Sequence, residues 1–251
     1  MRENTVKARW RAGEVALGGW LSLPSSLSAE IMAGEDFDYV CIDMQHGGID
    51  YQTALTMLQA ISTRETMPFV RVPWNEPGII MKMLDAGAMG VIIPMVNSVE
   101  EAQAAVAACR YHPEGNRSFG PLRATMYAGG DYFAHANAEV ACIPMIETEQ
   151  ALDSLDDILS VPGIDAVYVG PADLSITLGL PPGMDNGGRF EQERVRIAEA
   201  CKAHGVIAGI HANAQLAEKH AAAGFQLVTI SSDQGGMRVA ARADLEVARG
   251  G

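Results

Sequence analysis

The chain is short of lysine, of paired cysteines and of basic charge, and each shortage removes a class of function. Its four lysines, Lys7, Lys82, Lys202 and Lys219, fall in the amino-terminal segment or in helical patterns. None projects from a strand end, where a Schiff-base nucleophile would have to stand. Lys and Arg total 18 against 31 Asp and Glu, giving a formal charge of −13 over 251 residues. Nucleic acids and anionic membranes bind through clustered basic residues, so such a surface repels both. Cys41, Cys109, Cys142 and Cys201 are scattered without a C-x-x-C pair, which reads as buried, reduced thiols rather than a disulfide or zinc framework. No apolar stretch approaches the length of a membrane span, and MRENTVKARWRAGEVALGG has no unbroken apolar core before a cleavage-like site. A soluble, cytoplasmic protein is expected.

What the chain does have is apolar content, 48% of its residues, arranged in eight short runs rich in Val, Ile and Leu. These are VALGGWLSL from Val15, DYVCID from Asp38, PFVRV from Pro68, GVIIPMV from Gly90, ACIPMIE from Ala141, AVYVG from Ala166, VIAGIH from Val206 and LVTIS from Leu227. Near-continuous apolarity fits strands buried on both faces. Helical patterns lie between them: Tyr51, Leu55, Leu58 and Ile61 share one face, and Val99, Ala102, Val106 and Cys109 another. Ser98 with Glu101 makes a capping box before the second of these.

Alternating strands and helices imply right-handed βαβ units, and eight repeats close naturally into an α/β (β/α)₈ TIM barrel, expected as a single domain over residues 1–251. The competitor is an open doubly wound sheet. It lacks support from any G-x-G-x-x-G turn after the first strand or any G-x-x-x-x-G-K-[ST] loop. Two stretches break the rhythm. Residues 112–140 are too long for an ordinary connection, and Gly179–Gly188 is a Pro/Gly-rich excursion expected to act as a mobile lid.

In a barrel the chemistry gathers at the carboxyl ends of the strands. Asp43 and His46 close the second strand, Arg71 sits in the third, Glu147 ends the fifth and Asp173 follows the sixth. Glu147 and Asp173 thus leave successive strands at one mouth. Hard divalent cations, Mg²⁺ in particular, are often held by one or two carboxylates, with water and substrate completing the sphere. His211 ends the seventh strand and can face the same mouth, whereas His112, His135, His204 and His220 lie in the irregular stretch or on helices.

Over nearly its full length the chain resembles the metal-dependent, class II pyruvate aldolases of the HpcH/HpaI type, which include 4-hydroxy-2-oxoheptanedioate and 2-dehydro-3-deoxyglucarate aldolases. The resemblance rests on GGWLSL with Trp20, IDMQHG, VRVPWN, LDAGAMGVIIPMV, MIET and VGPADLS, taken in order. It implies that Glu147 and Asp173 hold a divalent metal, Mg²⁺ or Mn²⁺ with Co²⁺ also admissible. His46 would be the catalytic base, Arg71 would stabilise a developing enolate, and Asp85 would raise the basicity of the histidine. The backbone of Ala172 would meet the substrate carboxylate. The implied reaction joins or cleaves a C–C bond between a pyruvate or hydroxypyruvate enolate and an aldehyde, on 4-hydroxy-2-oxo acids. The implied assembly is a homo-oligomer, a hexamer.

Elementary chemistry agrees with these roles: a cation chelated by the 2-oxo acid acts as a Lewis acid, Arg71 balances the substrate anion, and an imidazole of pKa about 6.5 exchanges protons near neutrality. Asp85 does not fit one barrel, since LDAG ends a helix just before the fourth strand, at the face opposite the mouth. Either it reaches His46 from a neighbouring subunit or it is a helix-end carboxylate with no catalytic use. Residues 112–140, with Arg117 and Arg123, are a second candidate to cross that interface. Gln45 stands where many relatives have Glu, and Met145 where several place a substrate-contacting Gln, so the donor acid is open between pyruvate and hydroxypyruvate. Two rival readings remain: a citrate-lyase-like or malyl-CoA-lyase-like enzyme, which needs a basic surface for nucleotide phosphates, and a catalytically inactive barrel serving as a binding protein.

Overall fold

The computed structural model describes residues 1–250. Its strands are β1 (Ala16–Leu21), β2 (Tyr39–Asp43), β3 (Met67–Arg71), β4 (Gly90–Ile93), β5 (Ala141–Ile146), β6 (Ala166–Val169), β7 (Ile207–His211) and β8 (Phe225–Ser232). They pair in parallel in chain order, and β8 returns to β1 to close the barrel. That last pairing excludes the open sheet. The helices are α1 (Thr5–Arg11), α2 (Ser26–Ala33), α3 (Tyr51–Ile61), α4 (Pro77–Asp85), α5 (Val99–Cys109), α6 (Leu122–Ala128) and α7 (Tyr132–Glu139), followed by α8 (Glu149–Asp153), α9 (Leu155–Leu159), α10 (Pro171–Thr177), α11 (Arg189–His204), α12 (Ala217–Ala222) and α13 (Asp233–Ala248).

Two apolar layers result. One lies between strands and helices and takes Leu58 and Ile61 of α3 and Ala102, Val106 and Cys109 of α5. The other fills the barrel with Tyr39, Phe69, Ile143, Met145, Tyr168 and Leu227, and is stoppered at the amino-terminal end by Val6 and Trp10 of α1. The filling needs a glycine opposite its largest ring: a Cβ on Gly18 would stand 2.1 Å from Tyr39 Cζ. Lys7 is locked at that same end, 2.7 Å from Asp165. All four cysteines are buried and free. No helix among the described residues is long and apolar enough to cross a membrane.

Three local expectations change. The Ser98 hydroxyl does accept from Glu101 N, but the Glu101 carboxylate reaches past Ser98 to the N–H of Asn97 at 2.6 Å, one residue earlier than a capping box requires. Residues 112–140 are not an irregular loop. They carry α6 and α7, packed in a small cluster of Tyr111, Ala124, Ala128, Tyr132 and Ala136. Arg117 and Arg123 point inward rather than outward: Arg117 binds Asp85 and the Tyr132 hydroxyl, and Arg123 binds the carbonyls of Ala86 and Leu58. The Gly179–Gly188 excursion is pinned, because Asn186 donates to Ser175 Oγ and to the Pro181 carbonyl.

Candidate active site

A cavity of about 390 Å³ opens at the carboxyl ends of the strands, and His46, Arg71, Met145, Ala172 and Asp173 all line it. Its centre of order is an ion pair made by register. Asp43 and Arg71 are the last residues of adjacent strands and pair directly across β2 and β3. Arg71 Nε donates to Asp43 Oδ1 at 2.9 Å and Nη2 to Oδ2 at 2.7 Å, the two-pronged geometry that suits a guanidinium. Burial alone would raise the Asp43 carboxyl, but the bound guanidinium outweighs it and holds the group below its usual range.

Asp43 organises more than Arg71. It accepts from Trp20 Nε1 at 3.1 Å, and from the backbone N–H groups of Gln45 and His46 at 3.1 and 3.2 Å. These last two contacts shape the turn that presents His46 at the mouth. Trp20 in turn lies under the Arg71 guanidinium, 4.9 Å from ring centroid to Cζ. Arg71 Nη1 keeps no protein partner among the described residues, so one edge of the cation remains for a ligand.

Glu147 does not line the cavity. It lies behind Gly170, where a Cβ would come within 2.3 Å of Glu147 Oε2. Its Oε1 accepts from Met95 N at 2.8 Å, and Met95 adopts a φ of 56°, a left-handed conformation that costs a non-glycine residue about 1–2 kcal/mol. Asp173 is exposed in the first turn of α10, next to Ala172, whose N–H has no acceptor within the helix. Burial first, opposed by the Met95 N–H and aided by the charge of Asp173, pushes the Glu147 carboxyl up to about 7. Asp85, at the end of α4, is absent from the cavity and accepts instead from Arg117 Nη2 at 2.6 Å.

A model of the HpcH/HpaI aldolase/citrate lyase family matches residues 17–240. The chain belongs to this family. It is 44% identical to a hydroxypyruvate/pyruvate aldolase of Rhizorhabdus wittichii over 98% of this chain and 99% of that one. It is 40% identical to a 4-hydroxy-2-oxo-heptane-1,7-dioate aldolase of Escherichia coli over 92% of this chain and 89% of that one. Among solved structures, an HpcH/HpaI aldolase/citrate lyase family protein of Burkholderia cenocepacia superposes with a TM-score of 0.92 at 34% identity, covering 98% of this chain and 99% of that chain.

For a member of the HpcH/HpaI family the carboxylate pair has the right chemistry for a hard cation. Two acidic side chains close enough to raise the proton affinity of one of them form a site that a divalent charge would relieve. No cluster of three or more metal-ligating side chains is present among the described residues, so the protein would contribute two oxygens' worth of side chain and leave the other positions to water and substrate. A pH dependence follows from the sign of the Glu147 shift. With a folded value of about 7 and an unfolded value near 4.5, the stabilisation of the metal-free protein by proton uptake is complete below the unfolded value and is lost as pH rises through 7. A cation held by Glu147 would compete with the same proton. Titration calorimetry with Mg²⁺ or Mn²⁺ is expected to show affinity falling about tenfold per pH unit below 7, with one proton released per ion bound. Affinity that is flat between pH 5.5 and 8 would contradict this.

Sequence patterns left Asp43, Trp20 and Tyr168 without a role. Asp43 was visible as a strand end, but its partner depends on a register that apolar runs do not encode. His211, by contrast, does line the cavity.

Proposed function

We propose that the protein is a metal-dependent aldolase that forms or cleaves the C–C bond of 4-hydroxy-2-oxo acids, through the enolate of pyruvate or hydroxypyruvate and an aldehyde. The observation that carries this reading is the meeting at one cavity of a guanidinium with a free edge, an unengaged imidazole and the Asp173 carboxylate, with the Glu147 carboxylate buried just behind Gly170 of its wall, in a member of a family whose similar relatives are aldolases. Glu147 and Asp173 would hold the divalent cation, Mg²⁺, Mn²⁺ or Co²⁺. When bound, it would supply Lewis-acid stabilisation of the enolate.

The chain's own groups do the rest. Arg71, oriented by Asp43 and by the face of Trp20, offers Nη1 to the negative charge that develops on the substrate oxygen, a preorganised donor that needs no rearrangement during reaction. The free N–H of Ala172 offers a donor to the substrate carboxylate. An imidazole nitrogen of His46 takes the C3 proton in the synthetic direction, and takes the C4 hydroxyl proton in the cleavage direction. Met145, buried but lining the cavity, gives an apolar wall where a polar contact would otherwise select the donor.

The test is deuterium exchange at C3 of pyruvate and of hydroxypyruvate. Exchange is expected with Mg²⁺ or Mn²⁺, is expected to vanish with a chelator, and is expected to leave no adduct with borohydride. A borohydride-trapped adduct, or exchange that survives the chelator, would sink the reading.

We further propose a homo-oligomer in which Asp85 serves the His46 of a neighbouring copy. Two apolar surfaces support it. Phe119, Leu122, Met126 and Phe133 are exposed together on the segment that Arg117 ties to Asp85. In addition, α13 is anchored through Asp233, which accepts from Ser22 and Leu23 N, but stays exposed from Gly236 through Gly250 with Met237, Val239, Leu245 and Val247 uncovered. A helix such as α13, which its own barrel leaves uncovered beyond the first turn, is suited to packing on another copy.

A further inference from the structure

His211 closes β7 at the cavity, yet neither the carboxylate pair nor the Asp43–Arg71 pair uses it. Its ring is held from two sides. Trp20 meets it edge to face with centroids 4.9 Å apart, and Nδ1 lies 3.2 Å from the Tyr168 hydroxyl. Behind that contact runs a chain of hydroxyls inside the barrel: Tyr168 to Thr229 Oγ1 at 2.5 Å, and Thr229 to the Tyr39 hydroxyl at 2.9 Å. Tyr39, Thr229 and Tyr168 are all buried.

The direction of this chain follows from counting hydrogens. Three hydroxyls bring one hydrogen each to three contacts. If Tyr39 donates to Thr229, Thr229 to Tyr168 and Tyr168 to His211 Nδ1, every hydrogen is used once. Run in reverse, with Nδ1–H as the first donor, the chain leaves the Tyr39 O–H with no acceptor among the described residues. A buried donor without a partner is costlier than an unused lone pair, so the first direction prevails. Nδ1 is then an acceptor, and the ring proton sits on Nε2. Burial, with the positive charge of Arg71 nearby and Asp43 partly opposing it, pushes the His211 pKa down to about 4, which keeps the ring neutral at physiological pH. Nε2 has no hydrogen-bond partner among the described residues.

We propose that His211 is a specificity-determining residue whose Nε2–H donates to a hydroxyl oxygen carried by one of the two substrates. This deepens the aldolase reading and rests on it. A neutral donor suits an uncharged oxygen, since on the proposed reading the substrate carboxylate is met by the Ala172 N–H and the developing negative charge by Arg71. The hydroxyl is either that on C3 of the 2-oxo acid or that beside the aldehyde group. Tyr168 is a positioning residue for the imidazole, because it fixes the tautomer without meeting the cavity through its own hydroxyl proton.

The experiment measures kcat/KM for pyruvate and hydroxypyruvate, each with acetaldehyde and with glycolaldehyde, in wild type, His211→Phe and Tyr168→Phe. Nitrogen-15 spectra of the histidines report the tautomer. The wild type is expected to show Nδ1 bare and Nε2 protonated. His211→Phe is expected to lower the preference for the hydroxylated member of one pair by about tenfold, the worth of a neutral hydrogen bond. The pair that responds identifies which substrate carries the hydroxyl. Tyr168→Phe is expected to release the tautomer and weaken the same preference, and it keeps the test alive should His211→Phe not fold. Nδ1 found protonated in the wild type, or a preference that both variants leave intact, would overturn the role of His211. Failure of the wild type on all four substrate pairs would instead overturn the aldolase reading.

Discussion

Asp43→Asn is expected to cost about 3–5 kcal/mol of stability, because it leaves a buried guanidinium without its counter-charge, and about 10²–10³ in kcat, because Arg71 loses its aim. The change replaces one oxygen by one nitrogen, yet the amide must turn its NH₂ either toward Arg71 Nη2 and Trp20 Nε1 or toward Arg71 Nε and the backbone N–H groups of Gln45 and His46, all of which now face an acceptor. Donor would oppose donor in either orientation. Trp20 Nε1 draws on the same carboxylate, so one substitution loosens the guanidinium, the His46 turn and the indole together. The pair of variants separates stability from function. Arg71→Met alone leaves Asp43 buried and unpaired and is expected to be unstable as well. The double variant Asp43→Asn with Arg71→Met removes both charges and is expected to recover much of the stability while remaining inactive, which chemical denaturation and C3 exchange would show. A double variant as unstable as the sum of the singles would mean that the ion pair does not act as a unit.

The barrel was legible because parallel strands buried on both faces leave near-continuous apolar runs, and each of the eight runs overlaps an observed strand, although β3 begins just before its run and β8 extends past both ends of its run. The same property hid the interior. When both faces are apolar there is no alternation to say which residue points inward, so nothing in DYVCID, AVYVG or LVTIS brings Tyr39, Tyr168 and Thr229 together across separations of 190 and 61 residues. The mouth of the site was legible for a different reason: polar side chains at strand ends stand out against apolar runs, as His46, Arg71 and Asp173 do. The pairing of Asp43 with Arg71 was not, since it is set by strand register. Residues 112–140 were misread because α6 and α7 are only 7 and 8 residues long, shorter than helices that persist on their own. Tyr111, Tyr132 and the inward arginines hold them, through tertiary contacts that leave no periodic stripe.

His46→Ala and Asp85→Asn are each expected to lower C3 exchange by about 10²–10⁴, the usual worth of a positioned general base, though the two residues do not meet within one chain. Asp85 ends α4 away from the cavity and is engaged by Arg117. If its only task is to pair with Arg117, whose side chain is fully buried, Asp85→Asn should lower stability and leave the chemistry of folded protein little changed. If it completes the His46 site of a neighbour, the two inactive variants should complement one another. Mixed and reassembled in equal amounts, a site that draws His46 from one variant and Asp85 from the other has both groups, and random assembly makes about a quarter of the sites of this kind. Activity recovered to that level, in a species that light scattering shows to be oligomeric, is the expected result. The Arg117→Lys variant sharpens the contrast, because it weakens the ion pair inside the chain while keeping the carboxylate, and should change stability more than exchange. No recovery on mixing, or full activity from a monomer, would return Asp85 to the role of a helix-end anchor for Arg117.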